Sequence, residues 1–400
     1  MTGPGICDRN NSPNRGYIIW NVVALLFLKI FTPYLLIMSK SLCFWLLIMQ
    51  LALPVFAEQR SFPTIVALGA VWPLGSKEGQ STPLIILNHE RNLNSFTTLM
   101  LGYRTVSPSA SLSIVPEEWL TVEVGVDATF LTEGNATDLY DNGTRLEKFF
   151  FRGNRTSAFV GLKLLPQTPW ITSFKVGKSQ YSFSTIEGQT MDGFRLPPSF
   201  SESFSEASIQ KAELLHEDGF VKIQIRQCKR LHWNNWEFDE DTLETGSPIH
   251  NILEFEDHIE FDRTKWRGSL LHATGRGLDF FSAYKLGGLA SDLVVAGYYR
   301  NEFRVRDLNL LKFQQEVSFA EDRVLSLFAD FANFTEIELP FRKKSSSNNT
   351  IAGVGIGFRY GMRNLGGLPL IFTFGEGINV SQASREAYRR EFMLVVAAGF

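Results

Sequence analysis

The stretch "AGVGIGFRYGM", residues 352–362, decides the fold. Gly353, Gly355 and Gly357 alternate with apolar residues, as they would in a loop that cradles a phosphate. A dinucleotide fingerprint, however, needs G-x-G-x-x-G opening a helix after a buried strand. Counting from Gly355, the third glycine is replaced by Tyr360, and the continuation "GMRNLGGLPL" is rich in helix breakers. The period that fits is two. Ala352, Val354, Ile356, Phe358, Tyr360 and Met362 share one face, while Gly353, Gly355, Gly357, Arg359 and Gly361 share the other. Strict alternation of this length predicts a strand with one oily face and one small or polar face.

Composition agrees. The 400-residue chain carries a formal net charge of −3, which gives no basic footprint for nucleic acid. A hydrophobic content of 44% excludes a polytopic helical membrane protein but suits a β-barrel, whose strands give half their residues to lipid.

Residues 1–57 read as a signal or targeting segment. From Met38, a basic start (Lys40), an apolar run from Leu42 to Leu53 and the site Val55-Phe56-Ala57 predict secretion with cleavage after Ala57. The oily tract from Tyr17 to Met38 is interrupted by Lys29 and Pro33, and two readings stand: a membrane anchor, or a chain whose true start is Met38, which is favoured. Cys7 and Cys43 fall in this segment, leaving Cys228 without an intramolecular disulfide partner.

Residues 58–400 repeat one unit, an alternating stretch of roughly ten residues and then a turn, as transmembrane strands require. Leu120, Val122, Val124, Val126, Ala128 and Phe130 oppose Thr121, Glu123, Gly125, Asp127 and Thr129; Val221, Ile223 and Ile225 oppose Lys222, Gln224 and Arg226. In "LEFEDHIEFD" the oily side (Leu253, Phe255, Ile259, Phe261) is broken at Asp257, which predicts a turn or membrane edge there. "YRNEFRVR" puts Tyr299, Phe303 and Val305 on an oily face. Aromatics near the ends of apolar faces (Phe130, Tyr360, Phe372, Phe374, Phe392, Phe400) suit interface girdles. The expected fold is therefore all-β, a transmembrane antiparallel barrel of about 16 strands. "LYDNGTRLEK", with its turn at Asn142-Gly143, and "FRLPPSFSESFSEAS" and "LHWNNWEFDEDTLETGSP" are expected as loops. The glycines of 353–357 are expected to face a crowded lumen, where they leave room for an inserted loop or permit curvature.

Over residues 270–400 the order "YKLGGLASDLVVAGYYRNEF", "VLSLFADFAN", "AGVGIGFRYG", "LPLIFTFGEGIN", "EFMLVVAAGF" resembles the barrel of the Omp85 superfamily, the BamA, TamA and surface-antigen D15 proteins. Over 62–270 the resemblance rests on strand spacing. It implies a bacterial outer-membrane barrel, here without POTRA modules, whose long loop folds into the lumen. Gly287 and Gly288 match the lead-in of that loop, Gly297 and Tyr298 its tip, and Phe328 and Asp330 the strand that receives the tip. Phe392 and the terminal Phe400 match the C-terminal signal that barrel-assembly machinery reads. Where the family has an arginine at the tip this chain has Ala296, so Arg300 or Arg359 is expected to face Asp330 instead, or Asp330 is wet. The implied work is outer-membrane biogenesis or translocation of protein or lipid, among outer-membrane lipid and with a separate periplasmic partner. The alternative is a passive pore or structural barrel.

No enzyme, cofactor or metal is expected. An outer-wall hydrolase needs a serine beside a histidine, and the nearest variant is His272 with Thr274. His89, His216, His232 and His250 fall near turns, His258 sits in an acidic stripe (Glu254, Glu256, Glu260, Asp262), and "DEDTLETG" from Asp239 lacks the glycine of a calcium loop. A lumen with Glu123, Asp127, Lys163, Lys175, Lys222 and Arg226 carries both signs, as a diffusion pore would.

Overall fold

A computed structural model describes residues 64–74, 81–104, 107–131, 140–141, 144–145, 149–165, 169–190, 196–213, 216, 219–231, 247–289, 291–320, 322–337, 348–362, 368–379 and 388–399. The segment 1–57, Asn142-Gly143, His232, the stretch at Asp239 and Phe400 lie outside them. Among the described residues there is no helix, and sixteen long strands form one antiparallel sheet that closes on itself. The first eight are β1 (Thr64–Leu74), β2 (Thr82–Asn94), β3 (Thr97–Arg104), β4 (Ser107–Glu117), β5 (Leu120–Leu131), β6 (Phe149–Leu164), β7 (Trp170–Thr190) and β8 (Phe200–Ala212). They continue as β9 (Phe220–Leu231), β10 (Ile249–Phe261), β11 (Thr264–Arg276), β12 (Phe303–Ala320), β13 (Arg323–Glu336), β14 (Asn348–Met362), β15 (Leu368–Asn379) and β16 (Tyr388–Gly399).

Closure follows from the solvent. A sheet in hydrocarbon cannot leave an edge of unpaired N–H and C=O groups. Here β1 pairs with β16 from Ile65↔Gly399 to Leu74↔Arg390, a seam longer than the β1–β2 ladder from Thr64↔His89 to Val71↔Thr82. Connections at the end holding the N-terminus of β1 and the C-terminus of β16 are tight, such as Ser95-Phe96, Glu118-Trp119 and Asp262-Arg263. Apart from the two residues between β3 and β4, longer segments leave the opposite end. Short turns on one side and long loops on the other mark the periplasmic and outer ends of an outer-membrane barrel.

The period-two reading becomes two walls. Val124, Val126, Val160, Ile223, Ile225, Leu327, Phe331, Val354 and Ile356 are exposed on the outside. In the stretch 352–362, Gly353 and Gly357 point inward and are buried. A Cβ at Gly353 would lie 2.5 Å from the Ala296 carbonyl oxygen, and one at Gly355 would lie 2.2 Å from the Phe328 ring. At Gly357 the nearest atom is 3.5 Å away. The first two glycines make room for an inserted segment and a ring.

Three expectations are corrected. Residues 200–208 form most of β8 rather than a loop, because the alternation is there but its outer face is serine (Ser201, Ser203, Ser205) instead of oil. Of the two readings at Asp257, the turn is excluded, because the strand runs on to Phe261; the carboxylate is buried, accepting from the His258 N–H at 2.8 Å and meeting His216 Nδ1 at 3.2 Å. Phe303 and Val305 face inward, not to lipid. A bulge between Val305 and Asp307 inserts one residue and flips the faces, after which Leu311 and Phe313 point out.

Candidate functional site: a segment folded into the lumen

Between β11 and β12, residues 277–289 and 291–302 turn into the barrel. Tyr284–Gly287 pairs with the start of β12 (Tyr284↔Val305, Leu286↔Phe303) and, in parallel, with Leu293–Val294. Leu286, Val295 and Tyr298 of the segment are buried in one cluster with Ala273, Leu308, Leu310, Ala332, Phe334 and Ile351 from the inner faces of β11–β14. A barrel lumen would ordinarily be polar and wet. Here it holds an apolar core, and each buried Leu or Val contributes about 1.5–3 kcal/mol to keeping the segment inside.

Two polar anchors fix it. At the root, Asp279 accepts N–H groups of its own turn (Phe281 at 3.1 Å, Ser282 at 3.0 Å) and pairs with Arg230 of β9, whose Nη2 is 3.0 Å from Oδ1. Arg230 Nε donates to Glu202 of β8 at 3.2 Å, and the guanidinium lies 4.8 Å from the Phe200 ring. The arginine thus sits on the barrel and the carboxylate on the loop. At the tip, Glu391 of β16 accepts the Leu289 N–H at 2.8 Å and the Gly297 N–H at 2.8 Å, and Asp330 of β13 accepts the Ala296 N–H at 3.0 Å. Two carboxylates in the wall therefore hold the tip through its backbone, without using a side chain of the tip.

The cation facing Asp330 is Lys312 of β12, its Nζ at 3.8 Å and also 3.2 Å from the Val294 carbonyl. This replaces the expectation of Arg300 or Arg359. The physical reason is space: Ala296 is fully buried, and the wall opposite is built of glycine. A Cβ on Gly375 would lie 2.9 Å from the Ala296 Cβ, and one on Gly377 would lie 2.6 Å from the Tyr298 ring. Gly297 takes φ +87°, a left-handed conformation that a side chain disfavours, and its missing Cβ would collide with Gly377.

The other sequence-singled residues fall as follows. Gly287 and Gly288 pack against the backbone of 298–301, with Gly288 donating to the Tyr299 carbonyl at 3.0 Å. Tyr298 is buried, its ring 5.5 Å from Phe303. Arg300 belongs to the same segment and is half-buried. Phe328 lies one inward position from Asp330 on β13. Phe392 follows Glu391 on β16 but lies on the opposite, outer face, stacked on Trp72 across the seam at 5.8 Å. Burial pushes the Lys285 ammonium of the segment down to about 8, with Asp292 opposing and Arg304, Arg155 and Arg300 adding to the shift.

Sequence reasoning missed Glu391, Lys312 and the Arg230–Asp279 pair. Glu391 had a signal: it is a lone carboxylate on an inner face that otherwise reads Met393, Val395, Ala397. Elsewhere the lumen charges neutralise one another in pairs, Arg155 with Asp127 at 2.5 Å and Lys175 with Glu123 at 4.0 Å. On the outer wall His272 Nδ1 is 2.7 Å from Asn309 Oδ1, while Thr274 bonds with Asn251 at 3.5 Å rather than with the imidazole. Among the described residues no group of three or more His, Cys, Asp or Glu side chains could hold a metal ion.

With the geometry in place, comparison with solved structures finds the same architecture. The chain is similar to CdiB from Acinetobacter baumannii (TM-score 0.56, 10% identity, covering 85% of this chain and 60% of that one). It is similar to BamA from Haemophilus ducreyi lacking POTRA domains 1–3 (TM-score 0.54, 11% identity, 86% and 71%) and to CdiB from Escherichia coli (TM-score 0.55, 12% identity, 85% and 64%). No family model and no curated protein matches the chain. At these identities the likeness is one of fold, the fold of bacterial outer-membrane barrels. The chain spans 60% and 64% of the length of the two CdiB chains.

Proposed function

We propose that this chain is an outer-membrane barrel of the Omp85 type that works in outer-membrane biogenesis, moving protein or lipid into or across the membrane. The observation that carries the reading is the segment 277–302, docked tip-first on β13–β16 by Asp330 and Glu391. A passive porin gains nothing from an apolar core in its lumen, whereas a barrel that must stay sealed while its wall is in use needs one. The resemblance to BamA in the order of the C-terminal strands and the likeness to its barrel both support this reading. The barrel-assembly machinery that inserts this chain, and a periplasmic partner that delivers its client, are the expected associates.

The test is insertion of a urea-unfolded outer-membrane barrel into proteoliposomes. Membrane insertion, read as protease protection, should be faster than in empty vesicles. It should be lost when the seam is cross-linked through cysteines at the facing positions Leu68 and Val396, and return on reduction. No acceleration with the seam reduced would favour the second reading, a structural barrel; the long seam and Ala296 are what favour that alternative.

A further inference from the structure

The outer wall is not equally oily all the way round. On β14 the outward residues from Tyr360 through Phe358, Ile356, Val354 and Ala352 are apolar or aromatic until Thr350. Ten residues at about 3.4 Å each, on strands tilted by roughly 40°, give about 26 Å of height, close to the ordinary apolar band of an outer-membrane barrel. On β8 only Ala207 and Ile209 stand between Lys211 at the periplasmic end and Ser205 above. Six residues give about 16 Å by the same reckoning.

The shortfall is shared by neighbours in register. Gln227 of β9 and, less polar, Val176 of β7 flank Ser205, and one step higher the wall reads Lys178, Ser203 and Lys229 across β7–β9, all exposed, whereas β6 stays apolar there at Ala158. Two lysines at that height cannot sit in hydrocarbon without reaching for water. Strands β8 and β9 are eight positions from the β1–β16 seam, on the opposite side of the ring.

We infer that the bilayer is thinned against β7–β9, by up to about 10 Å at β8 relative to its thickness at β14, so that the barrel deforms the membrane on the side away from its seam. A shorter apolar belt leaves the lipid two ways to meet it, thinning or a tilt of the barrel. Tilt would wet one end of β8 and bury the other, because it moves both ends of the strand together. Thinning wets both. The deformation weakens the barrier to polar groups along that wall, which suits a barrel that passes amphipathic cargo, but the inference rests on the belt alone and not on that function.

The test places an environment-sensitive nitrobenzoxadiazole probe on single cysteines at Ser205, Lys211 and Val354, in a Cys228→Ala background, with the full chain in dioleoylphosphatidylcholine vesicles. Heat-modifiable gel mobility checks that each variant is a folded barrel. Water-like, red-shifted emission at both 205 and 211, with blue-shifted emission at 354 that is quenched by acyl-chain nitroxides, is the expected result. Emission at 205 as blue and as strongly quenched as at 354 would overturn the inference. A wet 205 with a dry 211 would overturn it too, in favour of tilt.

Discussion

Replacing Glu391 by alanine should loosen the tip of the lumenal segment while leaving its root in place. Glu391 is 3% exposed and is the acceptor for the N–H groups of Leu289 and Gly297, both at 2.8 Å. Each buried N–H left without an acceptor costs about 1–3 kcal/mol, so two cost about 2–6 kcal/mol. Removing a buried carboxylate relieves part of its own desolvation, which places the expected loss near the low end, about 2 kcal/mol. That corresponds to roughly a 30-fold larger population of undocked tip. Hydrogen exchange read by mass spectrometry on peptides covering 289–297 should show protection falling by this factor, with β13–β16 unchanged. Glu391→Gln keeps a carbonyl acceptor but puts an amide NH2 where the second carboxyl oxygen accepts from Leu289, and should fall between the two. Unchanged protection in the alanine variant would mean that apolar packing alone holds the tip, and would refute the backbone-to-carboxylate anchor.

Four further outcomes follow from the same geometry. Gly353→Ala should destabilise the docked segment and Gly357→Ala should be nearly silent, since the added Cβ meets the Ala296 carbonyl oxygen at 2.5 Å in the first case and nothing nearer than 3.5 Å in the second; urea midpoints of refolded protein compare them. Arg230→Met should cost about 3–5 kcal/mol by leaving Glu202 and Asp279 buried without their arginine, and adding Asp279→Asn should recover part of that loss in the same measurement. Ala296→Arg should expel the tip rather than lock it, raising exchange at 289–297, because the fully buried Ala296 faces glycines 375 and 353; greater protection instead would show that the arginine reaches Asp330. Lys285 has a folded pKa of about 8 against an ordinary 10.5, so the folded state disfavours its charge. The deficit is fully present below about pH 8 and fades as pH rises toward 10.5, so the stability gap between Lys285→Met and the unaltered protein should narrow over that window.

The barrel was legible because lipid imposes a strict rule: one face oily, the other not, and no edge. Residues 352–362 obey it without exception, so the strand, its faces and the crowding at Gly353 and Gly355 could all be read. Legibility failed where that rule relaxes. Residues 200–208 alternate serine with glutamate and phenylalanine, a pattern that looks like a loop unless the strand is known to rise beyond the apolar belt. At Val305 a single bulged residue inverted the faces, and nothing in "RVRDLN" announces a bulge. The anchors were hidden for a different reason. Glu391 meets Leu289 and Gly297 across about a hundred residues of chain, and it does so through backbone N–H groups, which carry no mark in a sequence. Arg230 and Asp279 were obscured because the expected lock had its arginine on the loop, and here the charges are exchanged between loop and wall.

The most direct test of the account is single-channel conductance of the refolded barrel in planar bilayers, beside a variant lacking residues 289–299. A segment docked as described predicts small, flickering conductance that becomes large and steady when the tip is deleted. A large, steady pore in the unaltered protein, indifferent to the deletion, would contradict the plugged lumen and leave an open porin.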